Sequence, residues 1–227
     1  GVQTCALPIY SDNETQIELN TIHSPFSIPI FESTILVSNI EEIKKDIYKK
    51  YVNYTEEKEG NYYTKYDLHE EDLYAELTKS LLEITQEIFD SYEYINIKPR
   101  ITGMWANVFG TGEAIHTHSH SNSMFSGVWY PDDAPKSEMA SVSNCIRFID
   151  PLRFKYFFMP QIKKQNQYNS GEILIKPKKG MCLIFPSWLE HNTMPNQNET
   201  EKRFSISFNI FPEGNLGYPN FLNHLKV

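Results

Sequence analysis

The sequence predicts a mainly β domain of the α+β class, an antiparallel sandwich or barrel with two helices packed on one side. Helical periodicity dominates residues 38–92, whereas beyond residue 95 short β-rich segments alternate with Gly, Pro and Asp turns. The 227 residues are 40% hydrophobic, which indicates a folded chain with a substantial core. Because no repeat or low-complexity linker divides the chain, we expect residues 25–227 to form a single domain.

The first 24 residues differ in character from this domain. Residues 1–9, GVQTCALPI, resemble the in-frame translation of a sequencing-adapter oligonucleotide and are predicted to be a non-native tail; the alternative is an ordinary, slightly apolar terminus. Residues 10–24 are polar and predicted to be loose. Cys145 and Cys182 lie in apolar, strand-like settings without a C-x-x-C spacing, so we expect buried, reduced thiols.

Two helices are predicted after an extended segment at residues 27–37. The first follows a capping Ser38 or Asn39, ends at a charged loop over residues 55–61, and repeats three isoleucines at helical spacing, Ile40, Ile43 and Ile47. The second runs from about Asp72 to Tyr92 and carries one apolar stripe, formed by Leu73, Leu77, Leu81, Ile84 and Ile88. We expect both apolar faces to pack against the sheet.

Six short strands are predicted in the second half of the chain, each rich in β-branched or aromatic residues and bounded by turn residues. They cover residues 95–109, 124–130, 145–149, 172–175, 181–185 and 203–211. The formal net charge of -8 argues against a broad duplex nucleic-acid interface, which needs clustered Lys and Arg. The longest apolar runs are too short to span a bilayer and no stretch is typical of a signal peptide, so we expect a cytoplasmic protein without membrane partners.

Four of the seven histidines fall in two short segments, His116-Thr-His118-Ser-His120 and the end of PSWLEH, His191. In a strand, residues i and i+2 share a face, so His118 and His120 can direct two imidazoles to one point; parity alone leaves the pair 116/118 equally open. His191 follows a buried strand that is stopped by Pro186, where a third ligand can arrive. The pattern favours a mononuclear metal site over a surface histidine run, although zinc, iron, copper and nickel all accept imidazole.

The strand that starts at Arg203 alternates cleanly between an apolar and a polar face. Its polar face carries Arg203, Ser205, Ser207 and Asn209. An arginine twelve residues after His191, with small hydroxyl groups beside it, favours a cavity wall that binds an anionic small molecule over a face turned to water.

These residues occur in an order that resembles a known family. The chain contains H-x-H, then SGVWY (126–130), FIDP (148–151), FPSWLEH (185–191) and RFSISFN (203–209). This order is similar to the 2-oxoglutarate/Fe(II)-dependent oxygenases, and more narrowly to a largely uncharacterised subfamily found in bacteria and phages. The resemblance covers roughly residues 25 to 212 and is most specific around His191 and Arg203.

The resemblance implies a double-stranded β-helix (jelly-roll) core with the helices on its major sheet. It implies Fe(II) held by the first-strand histidine pair and His191, and 2-oxoglutarate whose far carboxylate is bound by Arg203 and Ser205. Asn107 is a further candidate contact for the co-substrate, or else a sheet-edge asparagine. The implied reaction uses O₂, releases succinate and CO₂, and hydroxylates a substrate.

One position departs from the wider superfamily, which places Asp or Glu two residues after the first histidine ligand. Here that position holds His120, so we expect His118, His120 and His191 as the metal ligands, with His116 nearby. Asp150 could complete the site, but its place before Pro151 is more typical of a turn. Two alternatives stay open: a metal-binding jelly-roll module without turnover, and a three-histidine dioxygenase that does not use 2-oxoglutarate. Nothing in the sequence chooses the substrate among small molecules and peptides.

Overall fold

Two facing antiparallel sheets and two covering helices make up the fold. The computed structural model describes residues 27–55, 62–136, 141–152, 160–166, 168–218 and 222–227. The predicted non-native tail, the loose segment at residues 10–24 and most of the predicted loop at residues 55–61 lie outside the described residues.

The elements follow the predicted order of helices first and strands afterwards. They are β1 (Phe31–Thr34), α1 (Ile40–Thr55), β2 (Tyr62–Tyr63), α2 (Ala75–Ser91), β3 (Ile97–Phe109), β4 (Phe125–Trp129), β5 (Ile146–Ile149), β6 (Glu172–Ile175), β7 (Met181–Pro186), β8 (His191–Thr193), β9 (Arg203–Leu216) and β10 (Leu225–Lys226). The larger sheet has the order β1-β7-β4-β9-β3-β2, with β10 paired to β9, and the smaller has the order β6-β5-β8. Every pairing between these strands is antiparallel, which confirms the predicted fold class.

The two helices pack on the outer face of the larger sheet, as their apolar spacing predicts. Ile43 and Ile47 of α1 and Leu77 and Leu81 of α2 are fully buried in one cluster with residues of β3, β4, β7 and β9. The second helix starts later than predicted, because the residues before Ala75 form a 3-10 turn, Asp72–Tyr74.

The central strands β4 and β7 of the larger sheet are buried on both faces, and the alternation of side chains separates two environments. On β7, Cys182 and Ile184 face the helices, whereas Met181, Leu183 and Phe185 face the smaller sheet. On β9, Ile206, Phe208 and Ile210 face the helices, while the residues between them line a cavity between the sheets. The two remaining cysteines, Cys145 and Cys182, are free and buried, as predicted.

Some elements were missed or misplaced by the sequence reasoning. The short strands β2, β8 and β10 were not predicted, and β9 continues five residues beyond its predicted end at residue 211. His191 lies just past the end of β7, as predicted, but it also begins the unpredicted strand β8 and pairs there with Phe148 of β5. Within the described residues, no helix has the length and apolar character needed to cross a membrane.

Candidate metal centre

Three histidine side chains converge at the mouth of the cavity between the two sheets. One ring nitrogen from each of His118, His120 and His191 can be chosen so that all three atoms lie within 4.8 Å of one another. The ring centroids of His118 and His191 are 4.4 Å apart, and those of His118 and His120 are 5.1 Å apart. A single ion placed among the three nitrogens can therefore be reached by all of them.

The backbone holds these rings in place, although not in the way that the sequence suggested. The shared face of His118 and His120 was predicted from the geometry of a strand, but residues 113–120 form no named strand. Instead, His118 and His191 exchange two backbone hydrogen bonds of 3.0 Å, and the N–H of His120 donates to the carbonyl of Ser187 at 2.8 Å. The segment thus lies beside β8 and the end of β7, and these bonds replace a continuous ladder.

Hydrogen bonds also select the ring nitrogens that face the site. Nδ1 of His118 lies 2.8 Å from the carbonyl oxygen of His116, and Nδ1 of His191 lies 2.8 Å from that of Leu189. A carbonyl oxygen only accepts, so Nδ1 carries a proton in both rings, and in the neutral form of such a ring the lone pair is on Nε2. Backbone carbonyls that orient imidazoles in this way are typical of metal-binding histidines.

The surroundings keep two of the three rings neutral. Burial lowers the pKa of His191 to about 3, and the nearby rings of His118 and His120 add to this effect against the hydrogen bond to Leu189. Burial also lowers the pKa of His120 to about 4, again with a contribution from His118. The aromatic ring of Phe185 packs edge-on against His191, with centroids 4.7 Å apart. Neutral imidazoles are the form that binds a metal ion.

Two residues that the sequence left open lie outside this cluster. The side chain of His116 is exposed and is not among the converging histidines, although its backbone carbonyl orients His118. Asp150 accepts a hydrogen bond of 2.8 Å from the backbone N–H of Leu152, which makes it a turn residue, as its place before Pro151 indicated. Within the described part of the chain, the ligand cluster contains no carboxylate.

Arg203 lies at the inner end of the cavity and is only 3% exposed. Its guanidinium stacks on the ring of Phe109 at 4.5 Å, and Nη1 makes one long hydrogen bond of 3.4 Å to the carbonyl of Asn144. Nε is buried without a partner among the described residues, none of which forms an ion pair with this arginine. Burial lowers the pKa of Arg203, and a buried cation without a counter-charge is costly unless an anion binds beside it.

Ser205 and Asn107 lie next to this arginine on paired strands. The register of β3 and β9 places Phe109 opposite Arg203 and Asn107 opposite Ser205. Nδ2 of Asn107 donates to Oγ of Ser207 at 2.9 Å and approaches Oγ of Ser205 at 3.4 Å. Asn107 is fully buried and lines the cavity, so it does not lie at a sheet edge.

The cavity that joins these groups has a volume of about 340 Å³. Three aromatic residues that line it were not singled out from the sequence, Tyr63, Tyr66 and Trp105, whereas a further one, Tyr130, ends the SGVWY motif. Burial raises the pKa of Tyr130 to about 12, so its hydroxyl stays protonated and can donate a hydrogen bond. The alternation of β3 could have placed Trp105 on the same face as Asn107, but only the packing shows that this face borders a cavity.

Comparison with known proteins agrees with this geometry. Residues 103–209 match a family model described as "Putative 2OG-Fe(II) oxygenase", a span of slightly less than half of the chain that contains all three histidines, Asn107 and Arg203. Among curated proteins, none matches this chain.

Several solved structures share the fold at low sequence identity. A prolyl-4-hydroxylase from Pseudomonas putida superposes with a TM-score of 0.56 at 10% identity, covering 80% of this chain and 92% of the other. A viral collagen prolyl hydroxylase from Paramecium bursaria Chlorella virus-1, in a 2OG complex, gives 0.50 at 13% identity, covering 80% and 94%. HygX from Streptomyces hygroscopicus, with nickel and 2-oxoglutarate bound, gives 0.53 at 10% identity, covering 81% and 82%. These likenesses confirm that the two sheets form a double-stranded β-helix.

Proposed function

Since residues 103–209 match the family model of a putative 2OG-Fe(II) oxygenase, we propose that this protein is an Fe(II)- and 2-oxoglutarate-dependent dioxygenase. It hydroxylates a substrate while 2-oxoglutarate is converted to succinate and CO₂. The observation that carries the proposal is one cavity with three converging histidines at its mouth and, at its inner end, a buried arginine that forms no ion pair with any described residue.

The donor set fits a divalent iron ion. His118, His120 and His191 would hold Fe(II) through imidazole nitrogens on one side, which leaves the side facing the cavity open. When bound, Fe(II) supplies the activation of O₂ and the oxidation of a substrate C–H bond. The backbone carbonyls of His116 and Leu189 keep two of the rings in the required tautomer.

The inner end of the cavity fits a dicarboxylate. Arg203 can donate two hydrogen bonds to the carboxylate far from the metal, with the hydroxyl of Ser205 beside it. Asn107 holds the neighbouring serine hydroxyls in place and can also contact the co-substrate. Phe109 and Tyr130 exclude water around the guanidinium, which strengthens its attraction for an anion.

A direct test is an anaerobic titration. Adding Fe(II) and then 2-oxoglutarate to the purified protein should produce a weak visible charge-transfer band at one equivalent of each. Without O₂ no turnover occurs, so the band reports the co-substrate and metal together. Absence of the band, with iron bound, would remove the co-substrate from the proposal.

A second candidate rests on His120. With three neutral imidazole ligands, the metal site has a net charge one unit more positive than a site with two histidines and one carboxylate. Such a site also suits a three-histidine dioxygenase that does not use 2-oxoglutarate. O₂ consumption with Fe(II) alone and no 2-oxoglutarate dependence would favour this candidate. Iron binding without O₂ consumption under either condition would favour a metal-binding module without turnover.

The proposal extends to partners and location. We take the substrate to be a small molecule or peptide and not duplex nucleic acid, which the net charge of -8 supports. We place the protein in the cytoplasm, which the free, buried state of Cys145 and Cys182 supports.

A further inference from the structure

The end of the cavity away from Arg203 has a chemistry of its own. The β3–β9 register places Trp105 opposite Ser207, four residues along β9 from Arg203. Four residues of strand span roughly 13 Å. Among the described residues that line the cavity, Arg203 is the only arginine, and there is no lysine, aspartate or glutamate. The far end therefore offers only aromatic rings, hydroxyls and an amide.

Two aromatic side chains form a wall at this end. The ring centroids of Tyr66 and Trp105 are 5.0 Å apart, and those of Trp105 and His120 are 6.0 Å apart, so the wall stands directly beside a proposed metal ligand. The indole ring of Trp105 is fixed in place by a hydrogen bond, because its Nε1–H donates to Oδ1 of Asn107 at 3.1 Å. The wall is thus connected to the residues that line the co-substrate end.

Tyr66 is exposed although its backbone is fixed. Its side chain is 63% exposed, while its carbonyl accepts a 3.0 Å hydrogen bond from the N–H of Met104 on β3. The same segment is pinned again where the N–H of Thr64 donates to the carbonyl of Ala106 at 3.1 Å. A large ring held in place at the rim of a cavity, and left open to solvent, is typical of a binding surface.

Asn209 adds a directed polar group to this wall. It lines the cavity, and its Oδ1 accepts a 2.8 Å hydrogen bond from Oγ of Ser126, which in turn lies 2.9 Å from Oγ of Ser187. Ser187 accepts the backbone N–H of His120, so the amide is anchored to the histidine segment. No described residue is hydrogen-bonded to Nδ2 of Asn209, which leaves two N–H donors for a ligand.

We propose that this end is the substrate subsite and that it binds an uncharged, planar ring bearing a hydrogen-bond acceptor. The ring stacks on the wall of Tyr66 and Trp105, and the acceptor receives the amide of Asn209. A cationic group is disfavoured, because the described wall has no acidic side chain that would offset its desolvation. This inference rests on the proposed function only in naming the ligand as the substrate; the binding itself requires no turnover.

The test uses the full chain loaded with Zn(II) and saturating 2-oxoglutarate, in which no oxidation takes place. Binding of three probes is measured by ligand-observed NMR titration: benzamide, benzamidine, whose amidinium adds a charge and lacks the acceptor, and cyclohexanecarboxamide, which removes the planar ring. Benzamide should bind at least about threefold more tightly than either of the others. Benzamidine binding as tightly as benzamide would overturn the proposal.

Matched variants locate the probe. Tyr66→Ala should weaken benzamide by about threefold to tenfold through the loss of one ring contact. Asn209→Asp, which replaces the amide donors by a carboxylate, should weaken it by about tenfold or more. Tyr48→Ala is the control, because Tyr48 is similarly exposed (53%) but lies on α1, across the larger sheet from the cavity. Equal affinity in Tyr66→Ala and Tyr48→Ala would overturn the assignment.

The outcome is separable from that of the proposed function. The two ligands are titrated separately into the Zn(II)-loaded wild-type protein, 2-oxoglutarate without any probe and benzamide with and without 2-oxoglutarate. Failure of 2-oxoglutarate to bind, with benzamide still selected, would overturn the proposed function and retain the subsite. Normal 2-oxoglutarate binding without selectivity for benzamide would overturn the subsite and retain the proposed function.

Discussion

At the residue scale, two of the three ligand histidines are oriented by a hydrogen bond from the ring nitrogen that faces away from the metal site. His118 and His191 donate from Nδ1 to backbone carbonyls, so replacing either removes both a ligand and its fixed orientation. We expect His191→Ala to weaken Fe(II) binding by more than about 100-fold, because the loss of mere orienting partners already costs 10- to 100-fold. Metal content after anaerobic loading and desalting measures this effect.

His116 provides the matched control for this experiment. His116→Ala removes an exposed imidazole of the same segment but keeps the carbonyl that orients His118. We expect its iron content to equal that of wild type. Loss of iron in His116→Ala with full retention in His191→Ala would show that the ligand assignment is wrong.

Arg203 is the residue on which co-substrate recognition depends. A charge-assisted hydrogen bond is worth about 1.5–3 kcal/mol, so losing a bidentate pair in Arg203→Ala should weaken 2-oxoglutarate by about 100-fold or more. Arg203→Lys keeps the charge but loses the planar guanidinium, so its affinity for 2-oxoglutarate should lie between those of wild type and Arg203→Ala. Titration of 2-oxoglutarate into the iron-loaded variants measures both. Iron affinity should not change, and equal 2-oxoglutarate affinity in wild type and Arg203→Ala would favour the metal-binding module.

The roles of some of these residues could be predicted from the sequence, whereas those of others could not. The H-x-H spacing, His191 and the alternation after Arg203 are local signals, so their shared chemistry could be read from the chain. The choice between His116 and His120 could not be made from the chain, because both lie two residues from His118. In the fold they differ, since the backbone N–H of His120 is hydrogen-bonded to the carbonyl of Ser187. The burial of Arg203 against Phe109 depends on contacts between strands far apart in sequence.

At the scale of elements, the pairing of β4 with β9 requires a glycine at position 127, because this residue lies directly opposite Phe208. A Cβ on Gly127 would collide with the ring of Phe208 and lie 2.8 Å from the carbonyl oxygen of Leu183. Overpacking of this kind costs about 1–3 kcal/mol, so Gly127→Ala should lower Tm by about 2 to 12 °C in a chain of this size. Thermal unfolding followed by circular dichroism measures the shift.

Gly103 offers a control on the neighbouring strand β3. There, the nearest atom to an added Cβ is the carbonyl oxygen of Tyr66 at 3.7 Å, an ordinary contact distance. Gly103→Ala should therefore keep or slightly raise Tm, because alanine loses less backbone entropy than glycine on folding. A similar loss of stability in both variants would mean that steric space is not what selects Gly127.

The elements that escaped prediction share a physical cause. Strands β2 and β10 are two residues long and β8 is three, too short for an alternating pattern to be visible. Each forms because a longer strand lies beside it: β3 for β2, β5 for β8 and β9 for β10. The long strands and both helices carry their own periodicity, which is why their existence and order were predictable.

At the scale of the whole molecule, the two sheets enclose a cation that the rest of the described protein does not neutralise. Arg203 is buried on the cavity side of β9 with one long hydrogen bond and an unpartnered Nε. Such an arrangement destabilises the protein alone and is compensated when an anion binds. Function and stability therefore oppose each other at this position.

This opposition leads to a prediction that couples folding to the co-substrate. Arg203→Met keeps an apolar stem against Phe109 and removes the buried charge, so without ligand the variant should be more stable than wild type by at least about 1 kcal/mol, or 2–4 °C in Tm. With Zn(II) bound and 2-oxoglutarate at 100 times its Kd, wild type should gain about 2.7 kcal/mol and the variant almost nothing. The order of the two melting temperatures should then reverse, as thermal scans with and without 2-oxoglutarate would show. A variant that is less stable than wild type even without ligand would mean that the guanidinium is already stabilised within the folded chain, and that its burial is not a sign of an anion site.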